Sequence, residues 1–95
     1  MTVYVDNARH PYGRMFMCHM VADSPEELLN MADTIGVFRK WRQHPGEERE
    51  HFDICQSKRA LAVKAGAQEI TQRELGLRLL GRRKKNRGCM STLKR

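Results

Sequence analysis

Ser24-Pro25-Glu26-Glu27-Leu28-Leu29-Asn30-Met31-Ala32-Asp33-Thr34-Ile35-Gly36 is the stretch that decides the fold. Ser24 has the hydroxyl to cap a helix. Pro25 has the fixed φ and missing N–H that suit the first helical position, and Glu27 stands three residues after Ser24, the spacing of a capping box. Leu28, Met31, Ala32 and Ile35 then recur at three- and four-residue intervals, which puts them on one face. Gly36 accepts the left-handed conformation that ends many helices. The reading is an amphipathic helix whose apolar stripe needs a partner surface.

Sheet-like segments flank it. Val3-Tyr4-Val5 is β-prone, residues 6–14 carry Asn, Pro and Gly and read as a loop, and residues 15–21 form an apolar run too short for an ordinary helix. That run reads as a strand antiparallel to the first. After Gly36, residues 37–41 read as another short strand and residues 43–50, with Pro45-Gly46, as an exposed polar loop. His51-Phe52-Asp53-Ile54 follows. A second helix is expected from about Ser57 to Ala65, capped by Asp53 or Ser57 and stopped at Gly66, with Leu61, Ala62 and Ala65 inward. Residues 67–70 read as a strand. Thr71 and Glu74 repeat the capping box, and Ile70 and Leu75 have the spacing of a hydrophobic staple around it. Leu75 and Leu79 give this third helix its apolar stripe.

The expected class is therefore α/β, a small single domain of order β-β-α-β-α-β-α. A compact unit over residues 1–81 would be followed by a basic tail, residues 82–95, that extends the helix and is then disordered without a partner. At 95 residues the core is modest, and a homodimer interface could supplement it.

Charge is unevenly placed. Residues 1–77 hold ten Lys/Arg against eleven Asp/Glu, whereas residues 78–95 hold eight Lys/Arg and no acid. The whole excess of the +7 chain sits in its last fifth, the signature of a basic arm on an ordinary domain. Arg78, Arg82, Arg83, Lys84, Lys85 and Arg87 could follow a phosphate backbone, with salt-dependent affinity for DNA or RNA. No aromatic residue interleaves with them, so the tail has no stacking platform. An acidic protein partner is the alternative. No apolar run reaches the length of a membrane span, and no basic start leads into an apolar stretch, so neither a membrane partner nor a signal peptide is expected. Cys18, Cys55 and Cys89 form no C-x-x-C pair, which argues for a reducing, cytoplasmic setting. Cys18 and Cys55 are expected to be buried.

Several polar residues need a reason. His19 interrupts an apolar strand, and a half-buried imidazole needs partners for both nitrogens. Asp6 and Asp23 stand at strand ends, where ligand sites form in α/β proteins. In His51-x-Asp53, strand alternation would aim both side chains the same way. Imidazole with carboxylate suits zinc, manganese or iron, and it is also a base-and-orienter pair. The candidate divalent-metal ligands are Asp6, Asp23, His51 and Asp53, with His19 as a further ligand or a base, and the candidate catalytic residues are His19, His51 and Asp53. The blander readings are a hydrogen-bonded structural His19, a capping Asp53 and a solvated His51. Arg14, after flexible Gly13, Arg59, and Arg73, in a helix first turn, are candidate anion-binding residues, for phosphate above all; an ion pair of Arg73 with Glu74, Glu69 or Asp33 is the alternative. His10 and His44 fall in loops and receive no role.

Tyr4-Val5-Asp6, Gly13-Arg14, His19 with Ala22-Asp23, Glu26-Glu27-Leu28, Met31-Ala32-Asp33 with Ile35-Gly36, His51-Phe52-Asp53, Ser57-Lys58-Arg59, Ala65-Gly66-Ala67 and Thr71 with Arg73-Glu74-Leu75 together resemble DUF4031, a family of small bacterial and phage proteins of unknown function. The resemblance spans about residues 2–80 and leaves the basic tail aside. Asn7 and Phe52 depart from the Asp and Tyr that the family favours. It implies a bacterial or phage origin and a compact α/β unit, and it supplies no catalytic residues.

Three functions compete on the sequence. The first is a small nucleic-acid-associated protein, or a component of a nucleic-acid-processing complex, acting through the tail. The second is a metal-dependent phosphoesterase or nuclease built on the His/Asp residues. The third is a non-catalytic phage or bacterial adaptor for a host protein.

Overall fold

A computed structural model describes residues 2–47 and 49–80. Its sheet is organised around the apolar run, which extends over Met15–Ala22 and forms β3, after β1 (Val3–Val5) and β2 (His10–Tyr12). β1 is antiparallel to β3, with Val3 opposite Ala22 and Val5 opposite Met20. β2 is antiparallel to the earlier half of β3, with His10 opposite Met17. β4 (Phe52–Cys55) pairs antiparallel with β3 as well, placing Cys55 against Met17 and Phe52 against Met20. Met17 and Met20 thus have a partner on either side. β1 and β2 therefore share one edge of β3, and β4 takes the other. β5 (Gln68–Glu69) adds to β1 in parallel.

Among the described residues three helices cover this mixed sheet: α1 (Pro25–Ile35), α2 (Gln56–Lys64) and α3, residues 72–80. Strand alternation sorts the contacts. Val5, Cys18, Met20, Phe52 and Ile54 point to one side, where Leu28, Met31, Ala32 and Ile35 of α1 and Ala62 of α2 pack on them. Tyr4 and Val21 point to the other side, under Ile70, Leu75 and Leu79. The largest fully buried side chains include Phe52, Met20, Leu28 and Ile54. Burial of each contributes roughly 1.5–3 kcal/mol, so the larger face carries most of the stability.

The small single α/β domain agrees with the sequence reading, and so do three helix boundaries. The Ser24 hydroxyl accepts the Glu27 N–H at 3.2 Å and donates to its carboxylate at 3.1 Å. Gly36 ends α1 at φ 79°, with its N–H on the carbonyls of the last turn. Thr71 and Glu74 form a reciprocal box, each side chain accepting the other's N–H at 3.0 Å. Ile70 and Leu75 lie in one apolar cluster beside it.

Other expectations are corrected. Residues 10–12 are a strand, not loop, and the strand between α1 and α2 is Phe52–Cys55 in place of residues 37–41, so the order is β-β-β-α-β-α-β-α. Residues 37–41 form no strand; Arg39–Trp41 is a 3-10 turn, because Arg39 reaches back to Asp33 at the end of α1, Nη2 to Oδ2 2.6 Å. α2 starts at Gln56 after Cys55, without a side-chain cap. Asp53 cannot cap it because it sits inside β4, and Ser57 already lies within the helix. Of the three α2 residues expected inward, only Ala62 is buried; Leu61 and Ala65 face solvent because α2 offers the sheet one narrow face. Cys18 is buried as expected, whereas Cys55, at the end of β4, is half-buried. No helix of the described residues is long and apolar enough to cross a membrane. The basic tail, with Arg82, Arg83, Lys84, Lys85, Arg87 and Cys89, lies outside the described residues.

Candidate metal centre

The site lies on the face of the sheet that α3 covers only in part. Tyr4 and Val21 are beneath α3, and the next residues on the same face are Asp6 of the β1 edge and His19 of β3. Between the last pair of β1 and the first of β2, residues 6–9 oppose only Cys18 and His19. This bulge turns the chain and aims Asp6 inward, a common device beside functional sites.

Asp6 is fully buried and fully engaged. Its Oδ1 accepts the N–H groups of Ala8 at 3.2 Å and His19 at 2.9 Å, and its Oδ2 lies 2.6 Å from His19 Nδ1. Burial would raise its carboxyl, but the hydrogen bonds from the His19 ring and backbone prevail, so its pKa is held below the usual range. The same bond raises the His19 imidazole against the opposing effect of burial. An ionised carboxylate only accepts. His19 therefore carries its proton on Nδ1, and its Nε2 faces away from Asp6.

His51 follows the same logic by another route. Its Nδ1 is 2.7 Å from the Arg49 carbonyl oxygen, which can only accept, so the proton is again on Nδ1. His51 is fixed by a bridge with Gln43, whose N–H and carbonyl pair with those of His51 at 2.8 and 3.2 Å. Glu50, buried next to it, accepts the Gly46 N–H at 3.1 Å and pairs with Arg42 at 3.3 Å, which closes the loop.

Asp53 is directly opposite His19 in the β3–β4 ladder, so both point to the same face. Its Oδ1 lies 3.3 Å from His51 Nε2 and 3.9 Å from His19 Nε2. One ligand atom from each of His19, His51 and Asp53 falls within 4.8 Å of the others, a group able to hold a metal ion. Donor atoms around one ion at 2.0–2.2 Å lie roughly 3.0–3.5 Å apart, so small rotamer changes close the site. The acceptors on Nδ1 are the orienting partners that metal-ligating histidines ordinarily have.

All four histidines of the chain gather here. The His10 ring is 5.3 Å from His19, His19 is 5.4 Å from His51, and His51 is 5.9 Å from His44. His10 arrives because it pairs with Met17, the same-face neighbour of His19. His44 arrives through the Gln43 bridge, in a left-handed conformation at φ 51° that few non-glycine residues adopt. The sequence assigns neither of them a role. No local motif marks them, and only the count of histidines against the strand pairing would have found them.

The remaining candidates are placed elsewhere. Asp23 is at the far end of β3, accepting from the Thr2 N–H at 2.9 Å and near the Tyr4 hydroxyl at 3.5 Å, so it does not join the group. Asp6 is near it but faces His19 Nδ1, as an orienting carboxylate. Arg14 is exposed in the turn between β2 and β3. Arg73 is exposed on α3, where two first-turn donors are already taken: the Gln72 N–H by Asn7 and the Glu74 N–H by Thr71. No ion pair of Arg14 or Arg73 is found among the described residues; Glu69 pairs with Arg59 and Asp33 with Arg39. The Arg78 guanidinium stacks 3.8 Å over the Tyr4 ring.

No curated protein and no solved structure matches the chain significantly. One family does match, over residues 3–82, and the chain belongs to it: DUF4031, described as a protein of unknown function.

Proposed function

We propose that the protein is a metal-dependent phosphoesterase or nuclease whose ion is held by His19, His51 and Asp53. The observation that carries this reading is a pair of imidazoles whose Nδ1 atoms are both engaged with acceptors, so that both Nε2 atoms face one carboxylate. Two neutral imidazoles and a carboxylate suit zinc, manganese or iron. Three protein ligands leave positions for water and substrate, the pattern of catalytic sites rather than closed structural ones. A divalent ion so held supplies an acidified water and a Lewis-acid contact for a phosphoryl oxygen. The chain's own part is to keep the rings in one tautomer, through Asp6 and the Arg49 carbonyl. Exposed Arg14 and the eight cations of residues 78–95 support a polyanionic substrate.

The test is hydrolysis of bis(p-nitrophenyl) phosphate, single-stranded DNA and RNA by the full chain with manganese or zinc. His19→Ala, His51→Ala and Asp53→Ala are expected to lose at least about a hundredfold in rate while keeping their circular dichroism, and Arg14→Ala to raise KM. A chain that binds the ion and cleaves none of these substrates contradicts the reading.

The charge asymmetry favours a second, compatible reading: association with DNA or RNA through Arg82, Arg83, Lys84, Lys85 and Arg87. Removing residues 82–95 should abolish retention on nucleic acid at low salt, and unchanged retention would sink it.

A further inference from the structure

We propose that Phe38 and Trp41, with the cavity they border, form a stacking subsite for the bases of single-stranded nucleic acid; the inference deepens the phosphoesterase reading by naming its substrate class. The cavity, about 190 Å³, is lined among others by Met15, Met17, Phe38, Trp41, Asp53 and Lys58. Asp53 belongs to this wall and to the candidate metal group at once, so a strand seated here would have a phosphate next to the ligand atoms.

Phe38 is 69% and Trp41 58% exposed, although aromatic residues make up only 6% of the chain and the core lacks bulk. The 3-10 turn sets them close together, with the Trp41 N–H on the Phe38 carbonyl at 3.1 Å. Half-exposed Met15, in the same cavity, extends the apolar patch toward β3.

The charges around the rings specify the occupant. Lys40 Nζ lies 5.2 Å from the Trp41 ring and 5.6 Å from the Phe38 ring, and Lys58 is in the cavity wall. Neighbouring Arg39 and Arg42 are matched by Asp33 and Glu50, whereas Lys40 and Lys58 have no ion pair among the described residues. Exposed aromatic faces with unmatched ammonium groups beside them are the combination that binds single strands, bases on rings and phosphates on cations. An apolar peptide would use the rings and leave the lysines unanswered.

The test uses the full chain in EDTA, so that it is independent of any ion. A twelve-residue oligothymidylate is compared with an abasic deoxyribose-phosphate strand of equal length and charge. Trp41 is the only tryptophan, so its fluorescence reports the subsite alone. The expected result is quenching by the oligothymidylate and at least about tenfold weaker binding of the abasic strand. By anisotropy of a labelled strand, Trp41→Ala and Phe38→Ala should bring the oligothymidylate down toward the abasic level, and Trp41→Phe should keep most of the difference. Equal affinity for the two strands without quenching overturns the proposal. So does a concentration-dependent burial of Trp41 without nucleic acid, which would assign the patch to a second copy of the chain. Failure of zinc or manganese to bind would refute the metal reading and leave this result standing, and the converse holds.

Discussion

Asp6→Asn isolates the orienting role of a single buried carboxylate. Oδ1 of the wild-type side chain accepts two backbone N–H groups, from Ala8 and His19, and Oδ2 accepts the ring proton of His19 at 2.6 Å. An asparagine of the same shape can keep its oxygen on the two backbone donors only by turning its NH2 toward His19 Nδ1. The ring must then accept there, which moves its proton to Nε2, the atom needed for the ion. Loss of a charge-assisted hydrogen bond of this kind costs about 1.5–3 kcal/mol. For a domain of this size that lowers Tm by roughly 6–24 °C at about 4–8 °C per kcal/mol. Metal affinity should fall by about 10–100-fold, the usual consequence of removing an orienting partner. Zinc affinity by chelator competition and melting by circular dichroism read the two effects separately. An Asp6→Asn protein that binds zinc within about twofold of wild type would refute the tautomer argument, whatever its Tm.

The Asp6–His19 pair also sets a pH dependence. The raised His19 pKa contributes stability that is full below its ordinary value of 6.5 and lost as pH rises through the raised value. The lowered Asp6 pKa contributes stability present above its ordinary 3.8 and lost as pH falls through the lowered value. The ion-free protein should therefore lose Tm as pH rises above 6.5 and through the raised His19 value, whereas the zinc-saturated protein should gain it, because the ion competes with protons for the imidazoles; parallel curves would contradict this. Burial, and then the Asp6 charge, push the Cys18 thiol up to about 12, while the Ser57 hydroxyl lowers Cys55. In a Cys89→Ser background, iodoacetamide should label Cys55 well before Cys18 in the folded protein, and equal labelling would count against the packing described. Phe52→Ala, at the centre of the larger core, should cost about 3–5 kcal/mol by chemical denaturation, and a loss below 1 kcal/mol would contradict its burial.

What could be read from the sequence was whatever short-range chemistry decides. Ser24-Pro25-x-Glu27 and Thr71-x-x-Glu74 specify helix starts because both partners lie within one turn. The stripe Leu28, Met31, Ala32 and Ile35 faces the core because the helix period places it there. His51-x-Asp53 shares a face by strand alternation, and His19 stood out as a polar side chain in an apolar strand. Long-range pairing was not legible. His10-Pro11-Tyr12 is a strand only because β3 offers it an edge, and Val37 to Trp41, β-prone by composition, turns because Arg39 finds Asp33. Asp6 and Asp23 look equivalent as strand-end acids, yet the bulge after β1 buries one beneath His19 and leaves the other with Thr2 and Tyr4. His10 and His44 come to the site through tertiary register alone, which no local spacing encodes.

The most direct measurement is zinc X-ray absorption on the full chain loaded with one equivalent. The expected spectrum has nitrogen and oxygen bound to the ion at about 2.0–2.1 Å with the scattering of two imidazoles, reduced to one imidazole in His19→Ala or His51→Ala. A spectrum with sulfur ligands, or one unchanged in a His19→Ala, His51→Ala, Asp53→Ala triple variant, would place the ion elsewhere and contradict the assignment.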